Sequence, residues 1–136
     1  MNDNSKLGSV DRTYHRMAVL AASIGFDVGE EDIDGRCRRD RVAHARMTGY
    51  WLIRNGLGTP YEVIGIMFDR DHSGVMYGVK KIDLMLELGL TTYNNNWAKA
   101  IKESRRRFTQ FHKARVEAEV DRKLKEVLNV IESTWV

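Results

Sequence analysis

At 136 residues, with 43% hydrophobic and 30% charged side chains, the chain can bury a real core, carry one accessory element, and is too apolar to stay disordered. No run approaches eighteen consecutive apolar residues, and MNDNSKLGSVDRTYHR puts no basic segment ahead of an apolar one. Neither a membrane span nor a secretory leader is expected, and the single cysteine, Cys37, excludes an internal disulfide and fits a reducing, cytoplasmic setting.

The net charge of +3 conceals clustering. Residues 1–34 hold three basic and seven acidic side chains, residues 35–54 six arginines against one aspartate, and residues 99–136 ten basic and six acidic groups. Such segregation builds local fields that the total hides.

Residues 1–10 are polar and glycine-bearing, and are expected to fray. Tyr14, Met17, Ala18 and Ala21 recur at helical spacing over 11–24, with Gly25 as the expected terminator. EEDI at 30–33 reads as one turn closed by Gly35. Arg38 to Arg54 reads as a closely packed helix carrying Val42, Ala45, Met47, Gly49 and Leu52, ended by Asn55-Gly56 and Gly58. Thr59-Pro60-Tyr61-Glu62 is a full start signal: Thr59 as cap, Pro60 at the first helical position, Glu62 completing a capping box. The short helix 60–67 turns Val63, Ile64 and Met67 inward.

Asp71 is the natural cap of the following helix, 71–88. Its buried stripe is Val75, Val79, Ile82 and Leu86; Ser73, Met76, Tyr77, Lys80 and Lys81 face away, and Gly89 is the expected end. Residues 91–96, TTYNNN, read as a linker. From Trp97 to about Ser133 there is neither proline nor glycine. Trp97, Ile101, Phe108 and Phe111 form one apolar series; Val116, Val120, Leu124, Val127, Leu128 and Ile131 form another. The slip of phase at 112–116 allows two helices or one long bent one, folded back on the domain or pairing with a second copy, and Trp135 should pack if the helix persists.

A helix at 38–54, a short helix at 60–67, a tight turn and a longer helix at 71–88 follow helix-turn-helix grammar. Within it, VIGIMFDRDHSGVMYGVKKI (63–82) resembles the C-terminal DNA-binding domain of the bacterial replication initiator DnaA. The resemblance rests on Ile64-Gly65, Phe68, Arg70-Asp71-His72, Ser73, Val75 and Lys81-Ile82. It extends upstream to RCRRDRVAHARM (36–47) and over about Tyr14 to Leu88. It implies an all-α, Trp-repressor-like helix-turn-helix bundle, here with an added long helix or helix pair. The expected division is a flexible 1–10, a DNA-binding domain 11–90, a linker 91–96 and a basic, amphipathic extension 97–136.

What the resemblance implies for function is sequence-preferring binding of double-stranded DNA. Asp71, His72 and Ser73 would meet base edges in the major groove. Arg38, Arg39, Arg41 and Arg46 would reach phosphates or the minor groove, and Arg70 and Lys80 would complete the surface. An aspartate there can cap its helix and accept from cytosine N4. Gly74 stands where the family usually has a second threonine, and Asp69 where it often has glycine. No GxxxxGK[ST] stretch occurs, so nucleotide-driven origin opening is not expected.

No enzyme is expected. Asp69 and Asp71 sit at the edge of a short turn with no cleft signalled, and His15, His44 and His112 lack the spacing of a metal site. No cofactor is implied. The expected protein is a bacterial or bacteriophage regulator of transcription, with RNA polymerase or another protein as a further partner and a homodimer through 97–136 open. The alternative is an interaction or replication-control protein that keeps the fold without strong specific DNA binding. For the RRR run at 105–107, DNA proximity and a solvated helix face are both open.

Overall fold

The central element is the helix from Asp40 to Leu57, here α3, because it presents apolar or small side chains on nearly every side. Val42, Ala45, Thr48, Gly49, Leu52 and Ile53 are all buried. In the computed structural model, which describes residues 7–88 and 95–135, α3 is surrounded by α1 (Ser9–Phe26), α2 (Glu30–Asp34), α4 (Tyr61–Phe68), α5 (His72–Leu88) and the start of α6 (Asn95–Trp135). None of the described helices is long and apolar enough to cross a membrane. Gly89 and most of the expected linker lie outside the described residues.

Glycines set how closely these helices approach. A Cβ on Gly78 of α5 would lie 2.9 Å from Met47 Cγ and 3.0 Å from Tyr50 Cδ2 of α3. Trp51 locks the same pair of helices by donating its Nε1–H to Asp83 Oδ1 at 2.7 Å.

Several ends differ from the sequence expectation. Gly25 does not terminate α1; the helix runs on to Phe26 and Asp27 takes the left-handed conformation (φ 55°), donating its N–H to Ser23 O. Aspartate tolerates that region because its short polar side chain bonds locally. Gly25 instead lies against α6, where a Cβ would overlap Ser104 Oγ and sit 2.7 Å from Ala100 O. Gly56 is inside α3, against Phe108, and Gly58 (φ 69°) ends the helix. Pro60, extended at ψ 147°, stands just before α4, and no side chain caps that helix. This puts Thr59 one residue too early to cap and Glu62 one short of a capping box. Pro60 O instead accepts the Val63 and Ile64 N–H groups, each at 3.1 Å.

The long final segment is one helix, not two. Its first half joins the core: Ala98, Ile101, Ser104 and Phe108 are buried, packed chiefly on α1. Trp97 stacks on His44 (4.6 Å) and Phe26 (5.8 Å). From Lys113 to Trp135 every described residue is exposed. Trp135, expected to pack, is 84% exposed, because the helix carries it beyond anything it could pack on.

Candidate nucleic-acid interface

The turn between α4 and α5 is made by Asp69 and Arg70. Asp69 adopts the left-handed conformation that ends α4, and Arg70 N–H donates to Gly65 O at 2.8 Å. The approach is so close that a Cβ on Gly65 would lie 2.5 Å from Arg70 O. A glycine is needed here for space rather than for its torsions.

Asp71 then opens α5. Its Oδ1 accepts the Ser73 N–H at 3.1 Å and its carbonyl accepts the Val75 N–H at 3.2 Å, so it satisfies donors that a helix start leaves unpaired. Asp71, His72, Ser73 and Gly74 are all exposed, whereas Val75, Val79 and Ile82 are buried. His72 Nδ1 lies 3.4 Å from Asp71 Oδ1. Further along, Tyr77 (63% exposed) and Lys80 extend the outward rib, with Lys81 Nζ 5.9 Å from the Tyr77 ring centroid.

The segment 35–39 adjoins this helix start and is built largely by two arginines. Arg46 is only 8% exposed. Its guanidinium donates to the carbonyls of Ile33 (2.7 Å), Asp32 (2.8 Å), Gly35 (3.0 Å) and Cys37 (3.1 Å). Burial, and then the nearby Arg70 charge, pull its pKa below the ordinary arginine value. Arg70 donates to Phe68 O (3.0 Å), Asp69 O (3.1 Å) and Gly35 O (2.6 Å). The Gly35 carbonyl therefore holds two guanidiniums and fastens the basic segment to the turn. Each bond to a charged donor is stronger than a neutral one.

On that frame Arg38 is exposed and has no hydrogen-bond partner among the described residues. Arg36, 74% exposed, reaches Asp69 Oδ2 at 3.1 Å. Arg39, equally exposed, lies 3.4 Å from Asp32 Oδ2 and donates its Nε–H to Cys37 Sγ at 3.5 Å; that bond holds the thiol below its usual pKa. Arg41 turns elsewhere: it donates to Phe26 O at 3.0 Å and lies over Trp97. Of the residues expected at the surface, Arg70, Asp71, His72 and Ser73 are contiguous at the turn and helix start, while Arg38 and Arg39 follow the Gly35 to which Arg70 is bonded, Arg39 facing Asp32. Lys80 lies two turns along α5, Arg41 faces α1 and α6, and Arg46 is inside. Arg36 and Tyr77 were not among the expected site residues. Arg36 was visible in the arginine run, and Tyr77 in the spacing of four from Ser73.

The sequence that builds this turn and helix start is similar to that of known proteins. Residues 21–82 match the bacterial dnaA protein helix-turn-helix. The matched segment, just under half of the chain, runs from the end of α1 to Ile82 of α5. The chain is 37% identical over 59 residues to the Chromosomal replication initiator protein DnaA of Oleidesulfovibrio alaskensis, covering 43% of this chain and 13% of that protein. It is 36% identical over 69 residues to Chromosomal replication initiator protein DnaA 2 of Protochlamydia amoebophila, covering 51% and 15%. With the DnaA protein of Pseudothermotoga lettingae it shares 29% over 90 residues, covering 62% and 20%. The match thus spans a fifth or less of these relatives' length. The DnaA helix-turn-helix homology and the helices together define an all-α, Trp-repressor-like bundle with an extra long helix.

Asp69 departs most visibly from a surface suited to phosphates, because it neutralises Arg36. Asp69→Asn keeps a residue that tolerates positive φ and frees that cation. In the DNA-binding reading proposed below, affinity should rise and the slope of log K against log salt steepen by about 1. Titration at several salt concentrations checks this, and an unchanged slope would place Arg36 away from DNA.

Proposed function

We propose that the chain binds double-stranded DNA with sequence preference. In this reading the start of α5 enters the major groove and segment 36–39 lies on the flanking phosphates or in the minor groove. The observation that carries the reading is the coupling of the two parts: Arg70 bridges the turn to Gly35, so base-facing and phosphate-facing groups share one rigid frame. The relatives are initiators by name, and the matched segment is their helix-turn-helix.

His72 and Ser73 are the base readers, joined by Tyr77 on the same rib. Asp71 is held by its own helix, accepting from Ser73, with its remaining lone pairs open to cytosine N4. Arg38 supplies a free cation for a phosphate, and Arg36 and Arg39 supply charges shared with Asp69 and Asp32. Arg46 and Arg70 are positioning residues. Lys80 reaches the backbone beyond the recognised bases. A module of this kind regulates transcription or competes for initiator sites, in a bacterial or phage setting.

One feature favours the second reading, an interaction protein that has kept the fold. Arg36 and Arg39 both face carboxylates, which lowers the local positive field. A selection from randomised duplexes, followed by titration of the enriched site, separates the two. His72→Ala and Ser73→Ala should each cost about 1–3 kcal/mol on that site and relax its sequence preference. Arg38→Ala should weaken all sequences alike and reduce the salt slope by about 1. Failure to enrich any motif, with weak binding even at low salt, favours the protein-partner reading.

A further inference from the structure

The distal half of α6 is the part of the molecule that its own fold leaves unexplained. Residues 113–135 form 23 residues of helix, roughly 35 Å long at 1.5 Å per residue, all exposed, and near their start Arg115 lies 5.6 Å from the Tyr14 ring centroid. Helices in proteins draw most of their stability from packing one face, whereas this stretch is braced by ion pairs within itself, Arg122 with Glu119 and Glu126 and Lys123 with Glu119. Yet it carries Val116, Val120, Leu124, Val127, Leu128 and Ile131 on one face, each 45–55% exposed. At 100° per residue this stripe points about 140° away from the face that Ile101, Ser104 and Phe108 bury. It cannot fold back onto its own domain without breaking a helix that contains no proline or glycine.

We propose that residues 113–135 pair antiparallel with the same segment of a second copy of this chain. Val120, Leu124, Val127 and Ile131 are spaced four, three and four apart, which is the seam of a two-stranded coiled coil. Val130, 65% exposed, flanks the same seam. The segment is electrically self-matched. Between Lys113 and Glu132 it holds five cations and five carboxylates, so two copies meet without net repulsion.

Orientation follows from the order of those charges. The seam register that includes Val120 and Leu124 also includes Lys113 and Glu117. Parallel pairing sets Glu117 against Glu117 and Lys113 against Lys113. Antiparallel pairing about 120–124 sets Glu117 against Val127 and the Lys113 stem against Ile131. On the flanks Lys123 then lies near Lys123 of the second copy and Asp121 near its Asp121, each offset by a neighbouring opposite charge, Glu119 and Lys125 respectively, so the orientation rests on the seam positions Lys113 and Glu117. Val120 then meets Leu124 across the axis. None of this depends on the DNA reading, but if both hold, the pair carries two DNA-reading heads at the far ends of one stiff rod.

The test is sedimentation equilibrium on the full chain at micromolar concentration, where a mass twice 15.7 kDa is expected. Leu124→Asp should raise the dissociation constant by ~100-fold or more, because a buried unpaired charge costs several kcal/mol. It should leave the near-ultraviolet circular dichroism of Trp51 and Trp97 unchanged, since the domain does not touch Leu124. In a Cys37→Ser background, mixing Val120→Cys chains with Leu124→Cys chains should give the mixed disulfide. A monomer across the concentration range overturns the proposal and assigns the stripe to a different protein. Disulfides within each variant, instead of between them, overturn the antiparallel register.

Discussion

Arg46→Met should lower the stability of the chain by about 3 kcal/mol or more and abolish the DNA binding proposed above together with it. The substitution keeps the aliphatic stem but removes donors from four carbonyls, those of Asp32, Ile33, Gly35 and Cys37. A buried acceptor left without its partner costs about 1–3 kcal/mol. Water can reach part of this site, which keeps the total below the sum of four such penalties. For a domain of this size the loss corresponds to a fall in melting temperature of roughly 10 °C. Arg46→Lys should rescue little, because one ammonium cannot reproduce a planar fork that addresses several carbonyls at once. Thermal denaturation and the selected-duplex titration check both halves. Full stability in Arg46→Met would mean that the segment 32–37 holds itself. Unlike Arg38→Ala, this change alters binding by misplacing Gly35 and its neighbours, not by removing a phosphate contact.

Gly25→Val should be comparably damaging, by about 3 kcal/mol, through the seam of α1 and α6. Inserting atoms into a packed interface typically costs 1–3 kcal/mol and forces backbone shifts; here the obstruction includes backbone. The new Cβ would meet Ser104 Oγ, which could rotate, but also Ala100 O at 2.7 Å and Ser104 N at 2.9 Å, which cannot move without moving α6. Ser104→Ala should therefore fail to rescue Gly25→Val. Denaturant unfolding of the single and double variants checks this, and full recovery in the double variant would show that only the hydroxyl stood in the way. Because Trp97 stacks on His44 and Phe26 at the start of α6, displacement of the helix should also shift its fluorescence.

These two residues show where a single sequence stops being readable. The α5 stripe was legible, because Val75, Val79 and Ile82 sit at a spacing only a half-buried helix requires, and they are buried. Asp71 was legible as a cap for the same local reason. Gly25 was not. A glycine near the end of an apolar series fits a helix stop as well as a close crossing, and what decides is α6, some seventy-five residues later. Arg46 was assigned to the DNA-facing side because a guanidinium in a basic run suits phosphate; the cluster of carbonyls that holds it instead exists only once 32–37 has folded. The phase slip near 112–116 was visible but open to two meanings, and an uninterrupted helix that leaves its domain settles it. Arg36 escaped because its significance lies in an encounter with Asp69, 33 residues further along the same chain.

The departure of α6 from the domain has a consequence for how unfolding is measured. Cooperative unfolding responds to denaturant in proportion to the surface newly exposed, and in a single copy residues 113–135 have almost none to expose. A lone chain should thus show the denaturant slope of a protein ending near residue 112, shorter than its sequence suggests. Any slope fitting the full length would come from surface that the chain can hide only in company.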